Sequence, residues 1–104
     1  GTALDWRVPG DLPYLKGHFP NQAVLPGVAI LDATVSALKL ISGRDLRLGT
    51  VRNAKFLQLV RPGMKARLEF KHMEEERWKI QWFSQSDDGI RVLLVELDLD
   101  ARAR

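Results

Sequence analysis

A chain of 104 residues can bury one hydrophobic core but is too short for two ordinary domains, so a single domain over residues 1–104 is expected. Hydrophobic residues make up 45% of the chain and charged residues 28%, a balance that excludes a disordered or fibrous protein. The net charge is +3 and there is no cysteine, which excludes disulfides and thiolate chemistry and favours a cytoplasmic setting.

The charge pattern also disfavours two classes of partner. Lys39 and Arg44 interrupt the most apolar segment, so no stretch approaches the roughly 20 residues that a membrane-spanning helix needs. The basic residues are scattered, without a zinc-ligand spacing, an RNA-binding aromatic motif or a basic helix. We therefore expect no membrane span, no nucleic-acid partner and no metal site. Gly1 and Thr2 stand in place of an initiator methionine, which indicates a vector remnant or a cut site in a longer chain.

The first predicted element is a strand over Ala3–Val8, which Pro9, Gly10 and Pro13 end. A long irregular segment follows and runs to Pro26. Its prolines fix the backbone over a stretch with few regular hydrogen bonds. Loops of this kind often carry function.

One helix is predicted, from Gly27 to about Ser42, with Gly43 at its C-cap. Apolar residues cover nearly every face of this helix. We therefore expect it to be buried all round.

The rest of the chain predicts antiparallel strands in which apolar and polar residues alternate. They are Thr50–Val60, Met64–Lys71, Trp78–Trp82 and Leu93–Leu99. One apolar helix and a run of long strands are best packed by a sheet that curves around the helix. This arrangement is the α+β hotdog fold. Because a single sheet covers only part of the helix, a dimer is expected.

Two residues stand out as candidates for chemistry. Asp32 interrupts the apolar helix, where an unpaired carboxylate among buried neighbours is costly or is held protonated. A surface position, with solvent or Ser36 as partner, is an open alternative. His18 lies in the irregular segment, where a lone histidine is more often structural or exposed. Pro26 and Gly27, however, mark a helix start whose free N–H groups can hold a developing oxyanion. A base, an acid and an oxyanion site thus fall within one short segment.

Residues 17–33 read GHFPNQAVLPGVAILDA, which resembles the signature of the FabA/FabZ-type 3-hydroxyacyl-[acyl-carrier-protein] dehydratases. His18 and Asp32 are fourteen positions apart, as are the catalytic histidine and carboxylate of that family. The stretch from Leu48 to Gly63 is similar to the family's second recognisable stretch. The resemblance covers nearly the whole chain from residue 5 onward. Among the members it looks closest to the compact, ApeI-like dehydratases of aryl-polyene pathways.

The resemblance implies a role for each candidate site residue. His18 is implied to remove the C2 proton of the thioester, and Asp32 of the partner subunit to protonate the departing 3-hydroxyl. The amide of Gly27 is implied to bind the thioester oxygen, and the carbonyl of Val24 to orient the imidazole. The residues implied to line the acyl tunnel, with core packing as the alternative, are Phe19, Val28 and Phe56.

The implied activity is dehydration of 3-hydroxyacyl thioesters to trans-2-enoyl thioesters in fatty-acid, aryl-polyene or polyketide-like biosynthesis, without metal or organic cofactor. The implied assembly is a homodimer or higher homo-oligomer with shared sites. The implied partner is an acidic acyl carrier protein with a phosphopantetheine-linked acyl substrate. Candidate docking residues for it are Arg52, Lys55, Arg61 and Lys65. An aspartate at the acid position leaves double-bond isomerisation open. A hotdog thioesterase and a non-catalytic acyl-binding hotdog subunit also stay open.

Overall fold

The computed structural model describes residues 2–10 and 24–103. Within these ranges it contains β1 (Thr2–Arg7), α1 (Gly27–Ser42), β2 (Leu46–Phe56), β3 (Lys65–His72), β4 (Arg77–Gln85) and β5 (Arg91–Ala103). The strands form one antiparallel sheet in the order β1-β3-β4-β5-β2. Helix α1 packs against one face of this sheet around a single hydrophobic core. The predicted α+β hotdog architecture is therefore confirmed.

Both ends of α1 fall where the sequence predicts them. At the start, the amides of Ala29 and Ile30 donate to the carbonyl of Pro26 at 3.0 and 3.1 Å. At the end, Gly43 adopts a left-handed conformation with φ of 68°, and its amide donates to the carbonyl of Lys39 at 3.0 Å. Glycine adopts this conformation without steric cost, so Gly43 sets the C-terminus of the helix.

The alternation predicted for β3, β4 and β5 is confirmed by the burial of one face of the sheet. The buried side chains of that face are Ala66, Leu68, Phe70, Ile80, Trp82, Val95, Leu97, Leu99 and Ala101. The alternation is broken once, in β5, where Leu94 and Val95 are both buried. A bulge explains the break, because Trp82 pairs with Val95 whereas Phe83 pairs with Leu93.

The strand predicted over Thr50–Val60 is wrong at both ends. Strand β2 begins earlier because β5 continues to Ala103 and gives it a pairing partner. It ends at Phe56 because the next two amides, of Leu57 and Gln58, both donate to the carbonyl of Leu94, at 2.8 and 3.2 Å. The chain then leaves the sheet in a crossover segment, residues 57–64, that connects one edge of the sheet to β3.

The expectation that α1 is buried all round is also wrong for the single chain. The side chains that face the sheet are Ala29, Ile30, Thr34, Ala37 and Leu38. An exposed stripe runs along the other side, formed at intervals of four by Val28, Asp32, Ser36 and Leu40. Val28 is 58% exposed and Leu40 is 75% exposed. One sheet covers one face of a helix, so the second face has no cover from the described residues.

A chain of polar and aromatic contacts links the buried face of α1 to the sheet. The indole Nε1–H of Trp82 donates to the hydroxyl of Thr34 at 3.0 Å, and that hydroxyl donates to the carbonyl of Ile30 at 2.7 Å. Trp6 of β1 meets the Trp82 ring edge to face, with ring centroids 5.7 Å apart. Both polar groups are therefore satisfied in the core.

The outer face of the sheet carries cross-strand ion pairs. The guanidinium of Arg77 binds both carboxylate oxygens of Asp98, at 2.9 and 2.6 Å. The hydrogen bonds from Arg77 hold the pKa of Asp98 below its ordinary value, against an opposing effect of partial burial. The same contacts raise the pKa of Arg77. This pair joins β4 to β5 most strongly when Asp98 is ionised.

We predict that Asp98→Asn destabilises the protein in a pH-dependent way. Because the pKa of Asp98 is lowered in the folded state, the pair stabilises above the ordinary carboxyl pKa of about 3.9. That stabilisation is lost as the pH falls through the lowered folded-state value. Urea unfolding should show the variant to be less stable than the parental protein at pH 7, with the difference disappearing in strong acid. The control Asp87→Asn, in the exposed turn before β5, should show no such pH-dependent difference; a constant difference for Asp98→Asn would contradict an ionic origin.

Candidate active site

Five of the seven predicted site residues lie among the described residues, and two do not. His18 and Phe19 lie outside the described residues. Val24, Gly27, Val28 and Asp32 lie in or just before the first turns of α1, and Phe56 lies at the end of β2. The described part of the candidate site is therefore the N-terminal half of α1 together with the strand end beside it.

The N-terminus of α1 is bordered by an aromatic ring. A Cβ atom placed on Gly27 would lie 3.2 Å from Cζ of Phe56, tighter than ordinary van der Waals contact. The absence of a side chain at this position thus allows the ring to lie over the helix start. Pro26 is the N-cap, and no side chain of the described residues makes a capping hydrogen bond. The start of α1 at Gly27 is therefore bordered by the apolar ring of Phe56.

Val28 and Phe56 do not belong to the core. Val28 is 58% exposed and Phe56 is 49% exposed. Core packing, the alternative interpretation of these two residues, is therefore wrong for the single chain. Both side chains border the helix start and present apolar surface outward.

Asp32 lies on the exposed stripe of α1, one turn after Val28. The expectation that its carboxylate sits among buried neighbours is wrong for the single chain, and the open alternative of a surface position is correct. The physical reason is the rotation of the helix about its axis. Thr34, two positions later and therefore about 200° around the helix, faces the sheet, so Asp32 faces away from it.

Exposed apolar side chains are concentrated around this half of the molecule. On and after β2 they are Leu48, Val51, Phe56, Leu57 and Leu59, and on α1 they are Val28 and Leu40. Strand β2 is also an edge of the sheet, with one side unpaired by the described residues. Exposed apolar side chains mark protein interfaces and ligand grooves when they form a large patch.

A basic corner, formed by Arg7, Arg61 and Lys65, lies beside the segment that leads into α1. Arg7 and Lys65 are directly opposite each other in the pairing of β1 with β3. Arg7 also donates to the carbonyl of Gly63 at 2.8 Å. The amide of Leu25 donates to the carbonyl of Val60 at 2.7 Å, which brings the crossover segment next to the start of the helix. Arg7 is not among the predicted docking residues, because its place opposite Lys65 depends on a long-range register.

The other two predicted docking residues lie elsewhere. Arg52 binds Asp100 at 3.0 Å, so its charge is already compensated within the sheet. Lys55 is paired in register with Glu96 of β5 and lines a groove on the outer face of the sheet. These two residues are therefore weaker docking candidates than Arg61 and Lys65.

The groove on the outer face has a volume of about 710 Å³. Residues of all five strands line it, including Lys55, Lys71, Lys79 and Glu96, and none of the residues that line it belongs to α1. It therefore lies away from the helix start and does not form part of the candidate site.

No helix in residues 2–10 and 24–103 has the length and apolar character needed to cross a membrane. The same ranges hold no group of three or more side chains placed to bind a metal ion.

A family model and a curated relative that match this chain are both described as dehydratases. The model of the ApeI-like family, described as ApeI dehydratase, matches residues 2–92. The 3-hydroxyacyl-[acyl-carrier-protein] dehydratase FabZ of Gluconobacter oxydans is 34% identical over an aligned stretch of 90 residues. The match covers 73% of this chain and 52% of that protein. The chain thus spans about half the length of this curated relative.

Solved structures show the same fold. A protein of Erwinia carotovora subsp. atroseptica superposes with a TM-score of 0.82 at 24% identity, over 97% of this chain and 82% of that one. The dehydratase heterocomplex ApeI:P from Xenorhabdus doucetiae gives a TM-score of 0.77 at 18% identity, over 98% of this chain and 86% of that one.

Proposed function

The chain belongs to the ApeI-like dehydratase family, and we propose that it removes water from 3-hydroxyacyl thioesters carried on an acyl carrier protein. The product is the trans-2-enoyl thioester. The reaction needs neither a metal nor an organic cofactor in this proposal, and we place it in the cytoplasm.

The observation that carries this proposal is the position of Asp32. A carboxyl group lies on the exposed stripe of α1, between the apolar side chains of Val28 and Leu40 and one turn beyond the helix start at Gly27. The exposed apolar side chains of Val28 and Leu40 do not stabilise a single chain. They suit a carboxyl group that works against an apolar substrate or subunit, where burial favours its protonated form.

The proposed reaction breaks two bonds and forms one double bond. His18 takes the proton from C2 of the acyl chain, and the electrons of that bond form the C2–C3 double bond. Asp32 of the partner subunit donates a proton to the 3-hydroxyl group, which leaves as water. The negative charge that develops on the thioester oxygen is bound by the amide of Gly27, helped by the positive end of the helix dipole. The carbonyl of Val24 orients the His18 ring.

The proposed assembly is a dimer in which each site uses two subunits. The exposed stripe of α1 and the unpaired edge of β2 both lack cover from the described residues. A two-fold related copy would bury both at once, because an isologous interface uses the same surface twice. This arrangement places Asp32 beside the partner's helix start and surrounds it with apolar side chains.

The proposed docking site for the carrier protein is the basic corner of Arg7, Arg61 and Lys65. It lies where the crossover segment meets the start of α1, so an acidic partner bound there would be close to the proposed site. Opposite charges steer such encounters and raise the association rate.

We predict that His18→Ala and Asp32→Asn each lower kcat by roughly 100-fold or more, because each removes a proton-transfer group. Mass spectrometry of 3-hydroxyacyl carrier proteins with short, long and aryl acyl groups measures the loss of water. Both variants should unfold at close to the parental temperature. Ser36→Ala, on the same exposed stripe, is the matched control and should retain activity. Parental rates for both variants, or release of free carrier thiol by the parental protein, would contradict the proposal.

We predict partial recovery of activity when His18→Ala and Asp32→Asn subunits are mixed. Each heterodimer then contains one site with both functional groups, if each site takes its two residues from different subunits. The mixture should regain up to about a quarter of the parental turnover under random exchange, since half of the dimers are mixed and each has one of two sites intact. Subunit exchange is verified with differently tagged chains. No recovery despite exchange would place both residues of a site in one chain.

We predict that Arg61→Glu and Lys65→Glu slow turnover of a carrier-bound substrate about tenfold in kcat/KM, with little change for a small thioester mimic. The loss should shrink at high salt, because screening weakens steering between charges. Arg44→Glu, an equal charge change at the opposite end of α1, is the control and should have a much smaller effect. Equal losses on both substrates would indicate damage to the fold instead of lost docking.

A further inference from the structure

Thr34 is the one buried polar residue among residues 2–10 and 24–103. It is 0% exposed, as is its hydrogen-bond donor Trp82. The other buried residues of α1, Ala29, Ile30, Ala37 and Leu38, are apolar. The hydroxyl of Thr34 is thus a directional contact in an otherwise apolar interface between helix and sheet.

Apolar contacts alone leave the rotation of a helix loosely fixed, because they have no preferred direction. A hydrogen bond demands both a distance and an angle. The contact of 3.0 Å from Trp82 to Thr34 therefore defines how α1 is turned against β4. Turning the helix away would leave the indole N–H of Trp82 unpaired in the core, which is penalised. Trp6, packed edge to face on Trp82, limits movement of the indole itself.

The rotation of α1 sets the position of Asp32. Asp32 and Thr34 are on opposite sides of the helix, and side-chain ends lie roughly 5–6 Å from the helix axis. A rotation of about 10° therefore moves the carboxyl group by about 1 Å. A displacement of about 1 Å is enough to lower the rate of a proton-transfer reaction by up to about 100-fold.

We propose that Thr34 and Trp82 are positioning residues for the acid Asp32. Their hydrogen bond holds the rotation of α1 at the angle that presents the carboxyl group to the reacting hydroxyl. This inference rests on the proposed function, because it assigns to Asp32 the protonation of the leaving group.

Thr34→Val tests the proposal, because valine keeps the shape of threonine and replaces the hydroxyl with a methyl group, which cannot accept the hydrogen bond. With a small 3-hydroxyacyl thioester mimic as substrate, kcat should fall about tenfold or more while KM changes little. Thr34→Ser restores the hydroxyl and should recover most of the lost kcat. Ile80→Val, a trimmed core residue on the same strand as Trp82, controls for general loosening and should keep kcat near the parental value. If Thr34→Val does not fold, Trp82→Phe removes the donor from the other end of the bond.

A double-mutant cycle separates positioning from a purely structural role. When Asp32 is already Asn, there is no acid left to misplace, so adding Thr34→Val should lower the residual rate no further. A purely structural effect would lower the residual rate by the same factor as in the parental background. The indole resonance of Trp82, identified by its absence in Trp82→Phe, should shift in Thr34→Val and stay near its parental position in Thr34→Ser.

Three results would overturn the inference. One is an unchanged kcat for Thr34→Val despite a shifted indole resonance. Another is an equal loss of kcat in Ile80→Val, and the third is additivity in the cycle with Asp32→Asn. Failure of the proposed function is distinct from these, because it shows as absence of dehydration by the parental protein.

Discussion

Helix α1 lies on one face of a five-stranded sheet, and a sheet can contact only one side of a helix. Ala29, Ile30, Ala37 and Leu38 fill that side, whereas Val28 and Leu40 point away from it. Apolar burial is the main favourable contribution to folding. A helix with apolar residues on both sides therefore leaves apolar surface in contact with water in a single chain. The need to cover the second side is the constraint from which the proposed dimer and its shared site follow.

The same constraint gives Asp32 two possible environments. In the single chain Asp32 is exposed. In the proposed dimer it becomes enclosed by apolar side chains of both copies, which favours the protonated form that a general acid needs. Assembly and acid function are therefore linked in this proposal, since the second subunit supplies the environment as well as the other half of the site.

Local chemistry explains which parts of the fold are predictable from sequence. Pro26 and Gly43 set the ends of α1 through their own backbone preferences, and both ends are predicted correctly. The bounds of β2 depend on distant partners: its start on the length of β5, and its end on the carbonyl of Leu94. A pattern of alternating residues contains no information about such long-range pairing. Leu57 and its neighbours are therefore assigned wrongly to a strand. The position of Arg7 opposite Lys65 could not be predicted from the sequence for the same reason.

The candidate site also combines features that local sequence predicts with features that depend on long-range packing. The motif places His18, Gly27 and Asp32 in one segment, but an almost wholly apolar helix gives no indication of which side turns toward the sheet. The deciding feature is the hydroxyl of Thr34, flanked one turn away by Ile30 and Leu38. A threonine in the middle of an apolar stripe, together with a tryptophan on a buried strand face, could have pointed to this contact, because a buried indole N–H needs an acceptor.

Thr34 and Asp32 lie on opposite sides of one helix and have different proposed functions. Thr34 fixes the rotation of the helix, and Asp32 is the acid. A hydroxyl suits the buried side, because one donor and one acceptor satisfy it there, as Ile30 and Trp82 do. A carboxylate on that side would need more partners than the core provides. In the proposed dimer each acid serves the site that contains the other subunit's His18. Trp82 and Thr34 of one subunit then fix the position of the Asp32 that acts in the other subunit's site. The geometry of each site therefore depends on the cores of both subunits.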